Sequence, residues 1–514
     1  MKKLIVNGHI LTMDPALPEA EAVLIENNRI LAIGSTADLK TGFAFSGAEL
    51  IDAQKAVIVP GFVDAHNHLT MMGVQKFELD LSGLKDRALI LEKIRREHLT
   101  SHPAKPIIGI NYEMEHLPKG QQLTESDLIQ AAPDRSIQIS DRSSHMSVTT
   151  RQTLIHAGIQ LIPKDCCNCS APCPLPGDFT GEVCGWTNFA LRSFMQAELR
   201  NPQTLRTAWK CAAARAAARG VTSIHAIVNE KEMDGLISFR GDLPVDLRIY
   251  TETKNVQAVK AAGLRQIGGC GSVMLDGDTG PRTAAFLEPY INQPETSGQL
   301  YYADQELYDY IWEAHSAGLQ VALHCVGDAA SLQMLNTIEK IQQRSGKKLR
   351  HRIEHFEFGT PEQMQRAKCL GVCISLQPAF NYFWDHTTYV EQLGEERAMI
   401  ADPIKSVSAH GLPIGLGSDC GVTPCDPLLT VHSAVNHSRK EERISPAEAL
   451  YYHTMGGAFL GFEEQIRGSI TPGKLADLVF LEANPLEIGA KEIKDIPVKM
   501  TIAKGEIVYS DSGW

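Results

Sequence analysis

The sequence predicts an α/β fold, a (β/α)₈ TIM barrel joined to a small β-sandwich domain formed from both termini. Three features carry this expectation. Helical stretches and short apolar runs alternate through the middle of the chain, the pattern of a parallel sheet crossed by helices. Both ends read instead as short strands joined by turns. And 514 residues exceed one ordinary core but fit a large barrel with a satellite domain.

At the N-terminus, KKLIVNGHILTMD holds an Asn7-Gly8 hairpin signal between two apolar runs, and AVLIENNRILAIG repeats the pattern at Asn27-Asn28. Near the C-terminus, DLVFLEANP and VKMTIAKGEIVYS behave alike, with a turn at Lys504-Gly505. Residues 1–59 and 461–514 are therefore expected to build one sandwich, leaving 60–460 for the barrel. Within the barrel, 208–219 (AWKCAAARAAAR) is dense in helix formers, stops at Gly220 and precedes the strand-like VTSIHAIV. DQELYDYIWEAHSAG then LQVALHCVGD repeats the rhythm, as does TPEQMQRAKCLG then VCISLQP. The stretch at about 75–200 is too long for its share of units and reads as an insertion over the barrel mouth. No internal repeat or low-complexity segment is evident.

Hydrophobic residues make up 43% and charged residues 21% of the chain, a soluble globular profile. A net charge of −12 repels phosphate backbones, which argues against a nucleic-acid partner. The apolar stretch after Lys2-Lys3 is broken by Asn7, Gly8 and Asp14 and lacks a small-residue cleavage site. No run reaches the ~18 apolar residues that a membrane span needs. The expectation is a cytoplasmic protein without membrane association, taking a small-molecule substrate, with a homodimer as the default assembly. Its 12 cysteines are then mostly thiols. Cys166, Cys167, Cys169, Cys173 and Cys184 have the numbers for a structural zinc, but their spacing matches no common finger and four prolines interrupt the local order, so thiols remain the default there too.

The chemistry gathers at strand ends. His66-Asn67-His68 follows the apolar run AVIVPGFVDA, and on a strand residues i and i+2 point to one side, so both imidazoles can reach one metal. LQVALHC ends in the same way with His324, RHRIEH with His355 and LPIGLGSD with Asp419. His324 and His355 are 31 residues apart, and His355 and Asp419 are 64 apart. One βα unit takes about 30 residues, so these groups fall on strands n, n+1 and n+3. With the histidine pair on strand 1, the others fit strands 5, 6 and 8, all projecting at the C-terminal face where barrel chemistry occurs. His225 also follows an apolar run and is read as structural.

These motifs carry a resemblance. PGFVDAHNH, LHCVGDAA, RHRIEH, GLGSD and GSITPGKLADLVFLEANPL resemble the amidohydrolase superfamily, specifically its long-chain branch of metal-dependent hydrolases, and GDTGPRTAAFLEPY is similar to that branch's strand-4 signature. The resemblance covers nearly the whole chain. It implies a hydrolase of non-peptide C–N bonds in amides, cyclic amides or amidines, with Zn²⁺ as cofactor. It also implies that His66, His68 and Asp419 hold one metal and His324 and His355 a second. The metal would acidify water to a pKa of about 7, and Asp419 would accept its proton and deliver it to the leaving nitrogen. His145 would face substrate, although the family's asparagine five residues later is Thr150 here. Asp276 and Arg282 would sit on the strand-4 loop against substrate. Asp328, four residues after His324, would orient a ligand by a hydrogen bond.

One position departs from the pattern. The branch carries a metal-bridging, carboxylated lysine four residues before its strand-4 Asp-Gly; the aligned residue here is Ser272, which cannot be carboxylated. Three readings follow: one zinc held by His66, His68, His324 and Asp419 with His355 on the water; two zincs with Cys270 or Asp276 as substitute bridge; or a degenerate site. The single-metal reading is preferred. A heterocycle deaminase using the same site and a non-catalytic barrel acting as scaffold or binding protein are the alternative functions.

Overall fold

The structure is a computed structural model that describes residues 2–42, 48–118, 120–159, 179–384 and 386–512. Its centre is an eight-stranded parallel sheet, nearly closed into a barrel. We number its strands β1 (Phe62–Asn67), β2 (Val221–Asn229), β3 (Asp246–Glu252), β4 (Gln266–Gly269), β5 (Gln320–Cys325), β6 (Arg352–His355), β7 (Cys373–Leu376) and β8 (Ile414–Leu416). Neighbours in chain order are neighbours in space. The ring closes through two backbone bonds just beyond β8, Asp419 N–H to His66 O at 2.8 Å and His68 N–H to Cys420 O at 2.7 Å.

Every residue of β1, β4, β5, β6, β7 and β8 is buried, as expected of parallel strands covered on both faces. The crossovers follow from their caps. The helix before β2 spans Pro202–Ala217, with Asn201 accepting from the Thr204 N–H and Pro202 in the first turn. It begins six residues earlier than the alanine-rich run alone indicates, because Asn201-Pro202 supplies the start signal. The chain then turns at Gly220 with φ 83°, a conformation costly to residues with a Cβ. Asp304–Ser316 precedes β5, and the 18-residue Asp328–Ser345 precedes β6. Pro361–Leu370 precedes β7 and carries a capping box between Thr360 and Gln363. No helix among the described residues is long and apolar enough to cross a membrane.

Two further sheets join the chain ends. One orders Arg29–Gly34, Ala22–Glu26, Lys2–Val6 and Ala48–Asp52; the other runs from Val498–Ala503 through Leu478–Leu481 to Val57–Pro60 and His9–Leu11. Ile5, Val23, Ile25, Ile58, Leu478, Phe480 and Ile502 form their common core. The turns at Asn27 (φ 58°) and at Lys504 and Gly505 (φ 51° and 80°) link antiparallel pairs. Asn7 also adopts φ 57°, but it closes no hairpin. Lys2–Val6 pairs with strands of the first sheet and His9–Leu11 with the second, so this turn crosses from layer to layer. Between β1 and β2 lies a separate five-stranded sheet, from Leu79–Asp80 to Glu182–Cys184, with its own apolar core around Ile90, Ile94, Leu128, Ile137 and Ile139.

A buried carboxylate holds the seam where the barrel closes. Asp64 on β1 accepts from Ser418 N–H at 2.8 Å, Ser418 Oγ–H at 2.6 Å and Asn67 Nδ2–H at 2.9 Å. It thereby ties β1 to the segment that carries Asp419. Asp64→Ala strands these donors in the interior and is expected to cost about 2–3 kcal/mol, measured by urea unfolding; a loss below about 0.5 kcal/mol would show that the seam does not depend on this group.

Candidate metal centre

Four strand ends converge at the C-terminal mouth of the barrel. His66 sits on β1, fully buried, and His68 starts the following helix. Asp419 lies three residues past β8, turned into place by a backbone with φ 51°. Its Oδ1 is 3.4 Å from His66 Nε2 and 3.2 Å from His68 Nε2, yet it makes no hydrogen bond. Both imidazole nitrogens and the carboxylate oxygen thus face one point without bonding one another. His324 at the end of β5 turns Nδ1 inward and anchors Nε2 on Gly277 O at 3.0 Å. His355 ends β6 with φ 72°.

The hub of the second half is Cys270, the residue after β4. Its Sγ is 3.5 Å from His66 Nε2, 3.5 Å from His355 Nε2 and 3.7 Å from His324 Nδ1. A glycine bend brings it there. At Gly268 (φ 104°) a Cβ would meet Ala322 O at 2.1 Å, so only glycine lets β4 lie this close to β5. Ser272, two residues on, is exposed and donates to Glu252 O at 2.8 Å; it does not reach the centre. Two overlapping groups, His66-Cys270-His355 and His66-His68-Asp419, can each hold a metal ion. Imidazole, thiolate and carboxylate together are a donor set suited to zinc.

The family model described as the amidohydrolase family matches residues 49–509. The chain belongs to the amidohydrolase family. It is 28% identical to YtcJ of Bacillus subtilis (strain 168), covering 100% of both chains. It is 24% identical to the N-substituted formamide deformylase of Arthrobacter pascens, covering 99% of this chain and 98% of that one. Among solved structures, a metal-dependent hydrolase from Pyrococcus furiosus is 26% identical and superposes with a TM-score of 0.75 over 95% of this chain and all of that one. As a family member the protein is a hydrolase of carbon–nitrogen bonds.

Above the metal centre this amidohydrolase has a cavity of about 470 Å³, floored by His324, His355 and Asp419. Asp141, His145 and Met146 of the inserted sheet line one side, Asp278 and Arg282 of the β4–β5 loop another, and Phe380 and Trp384 a third. The His145 ring stands 5.2 Å from that of His324. Two anticipated contacts lie elsewhere. Asp276 is buried behind the wall, where its carboxylate accepts from the backbone N–H groups of Ala285 (2.9 Å), Val326 (3.0 Å) and Gly327 (2.8 Å); it holds the loop that carries Arg282. Asp328 accepts from Leu287 N–H at 2.8 Å and orients loop backbone, with no bond to any of the five residues at the centre. His225 is internal, its Nδ1 2.8 Å from Arg352 Nη1. Cys166, Cys167, Cys169 and Cys173 lie outside the described residues, and Cys184 is buried. Asp141, Arg352 and Glu354 carried no separate signal in the sequence, although Glu354 adjoins His355.

Charge at the centre is strongly polarised. Burial alone would push the Cys270 thiol up, but the charge of His66 and bonds from three imidazoles outweigh it and hold the thiol well below its ordinary value. Burial likewise opposes ionisation of Asp419, and His66 and His68 reverse it, leaving that carboxyl well below the usual range. His145 moves the other way: burial, then the charge of His324, pushes it down to about 4, so it is neutral near pH 7. Burial pushes Asp141 up to about 7, with Asp278 and Glu115 adding to the effect. An acid whose folded pKa lies above its unfolded value of ~3.9 costs stability as it ionises. That cost is absent below about pH 4 and complete above pH 7. Asp141→Asn should therefore flatten the fall in Tm between pH 4 and 7; an unchanged slope by scanning calorimetry would contradict this assignment.

Proposed function

We propose that this amidohydrolase cleaves a non-peptide C–N bond of a small amide, cyclic amide or amidine at a two-zinc centre to which Cys270 would contribute its thiolate. The observation that carries the reading is Cys270 Sγ within 3.5–3.7 Å of His66, His355 and His324. His66, His68 and Asp419 would hold one ion, and His324 and His355 the other. Ser272, aligned with the family's bridging lysine, points away from the centre, whereas Cys270, one of the two substitute bridges considered, stands within it; this favours two ions over the single zinc expected from the loss of the lysine. When bound, the ions supply an acidified water and a Lewis acid for the scissile carbonyl. Asp419 accepts the proton from the attacking water and passes it to the leaving nitrogen. Neutral His145 offers a hydrogen bond to the substrate from the cavity wall.

The cavity also narrows the substrate. Its described walls carry Glu115, Asp141, Asp278 and Glu357 beside Arg282; burial pushes Glu115, Asp141 and Glu357 towards their neutral forms, so the walls offer hydrogen bonds suited to a neutral polar substrate. Phe380, Trp384 and Met114 offer apolar surface for an N-substituent. The formamide specificity named for the Arthrobacter pascens relative makes N-substituted formamides the first class to assay.

Two measurements test this. Protein loaded with zinc and desalted should retain about two ions per chain, and Cys270→Ser about one or fewer, by plasma emission spectrometry; one ion in the wild type, unchanged by the substitution, would overturn the two-metal reading. On a panel of neutral, cationic and anionic amides, neutral members should turn over fastest and Asp419→Asn should lower kcat/KM by about 10³-fold or more. Ammonia release from nitrogen heterocycles with no amide turnover would mark a deaminase, and zinc binding without turnover of any class would mark a scaffold.

A further inference from the structure

Beneath the metal centre, inside the barrel, lies a buried ion pair that the reaction as proposed does not use. Arg352 and Glu354 are residues i and i+2 of β6 and point to the same side. Both are 99% or more buried. Arg352 Nε donates to Glu354 Oε1 at 2.8 Å and Nη2 donates to Oε2 at 2.8 Å, a fork-to-fork pair. The guanidinium's remaining hydrogens reach Ala65 O (2.7 Å), Tyr250 Oη (2.7 Å) and His225 Nδ1 (2.8 Å). All five N–H donors of the group are thereby used, and they tie β6 to β1, β2 and β3. Tyr250 passes its own hydrogen to Gln320 Oε1 on β5 at 2.8 Å.

These directions leave one role for Glu354. Both carboxylate oxygens already accept from arginine, and Oε2 lies 2.6 Å from His66 Nδ1. An anion flanked by arginine donors has no hydrogen to give, so His66 Nδ1 is the donor. The Nε2 of the same ring is the atom 3.5 Å from Cys270 Sγ and 3.4 Å from Asp419 Oδ1. Glu354 does not line the cavity and touches no substrate. A buried ion pair is costly to desolvate and is poor evidence of a purely stabilising role.

We propose that Glu354, fixed by the five-bonded Arg352, is a positioning residue that commits His66 to protonation on Nδ1 and so presents Nε2, its one free lone pair, to the ion that His68 and Asp419 would also hold. The inference rests on the metal-centre reading above. A ligating imidazole whose far nitrogen is held by a carboxylate has a set ring orientation and tautomer and a more basic ligand atom. Glutamine fills the same space but cannot copy this. Its amide N–H₂ must face either an Arg352 donor or His66 Nδ1; the first loses a bond, and the second drives the proton to Nε2.

The test is zinc affinity of the full-length protein, read by competition with a chromogenic chelator, together with the visible spectrum of the cobalt-substituted form. Glu354→Gln is expected to weaken zinc binding by about 10–100-fold and to alter the cobalt bands, while the metal-free Tm falls no more than in Glu442→Gln. Glu442 is a buried acid that holds Ser406 and Arg439 and touches no ligand, so its substitution reports a purely structural loss. In Glu354→Asp the charge remains but the carboxylate is one methylene short of His66, and affinity should again fall. Wild-type-like affinity and spectrum in Glu354→Gln would overturn the proposal while leaving the metal centre intact. So would a loss that Glu442→Gln reproduces. Failure of the wild type itself to hold zinc would remove the metal-centre reading and this inference with it.

Discussion

Everything at the barrel mouth depends on parallel strands that end at one level. Gly269 of β4 is in register with Leu323 of β5, and His324 of β5 with Glu354 of β6. One step past each pairing stand Cys270, His324 and His355. The closure of β1 against the segment after β8 does the same for His66, His68 and Asp419. None of these side chains needs a long reach, because the sheet's own hydrogen bonds have already set them beside one another. A slip of one residue in any of these pairings would turn that side chain to the opposite face of its strand.

The barrel also carries the electrostatic burden of the site. Four imidazoles surround Cys270 and Asp419, and each anion is favoured only because cations stand against it inside a dry interior. Below them Arg352 and Glu354 hold a further pair of charges, with every hydrogen of the guanidinium committed. Positive φ at His355, Phe356 and Asp419 places non-glycine residues in a conformation that costs energy and persists only where the surroundings impose it. These strained positions coincide with two of the five residues singled out for metal binding.

Much of this was legible along the chain. Alternating helix and strand signals mark the barrel, and the 31- and 64-residue spacings lead to strands 5, 6 and 8: His324 and His355 stand on β5 and β6, and Asp419 just past β8. The helix start at Asn201-Pro202 was also open to reading, since capping is local. The misreadings share one cause. Asn7-Gly8 makes a turn, as its residue types dictate, but whether the flanking strands pair with each other depends on which other strands compete for their edges. Asp276 and Asp328 have the chemistry of ligands or substrate contacts; both are occupied by backbone N–H groups from distant loops, whose directions no side-chain pattern reveals.

By itself the sequence determined the barrel fold and, through its motifs, the family; strand period and unit length, which are properties of local chain geometry, also carried His66, His68, His324, His355 and Asp419 to the ends of their strands. Only the tertiary structure decided that Cys270 rather than Ser272 stands among them, since that choice turns on how sharply β4 bends at Gly268 and Gly269 against β5. It alone joined Glu354 to His66 across 288 residues of chain. The physical reason is the same in both cases: hydrogen bonds and ligand distances are set by the packing of strands remote in sequence, and that packing is a property of the whole barrel.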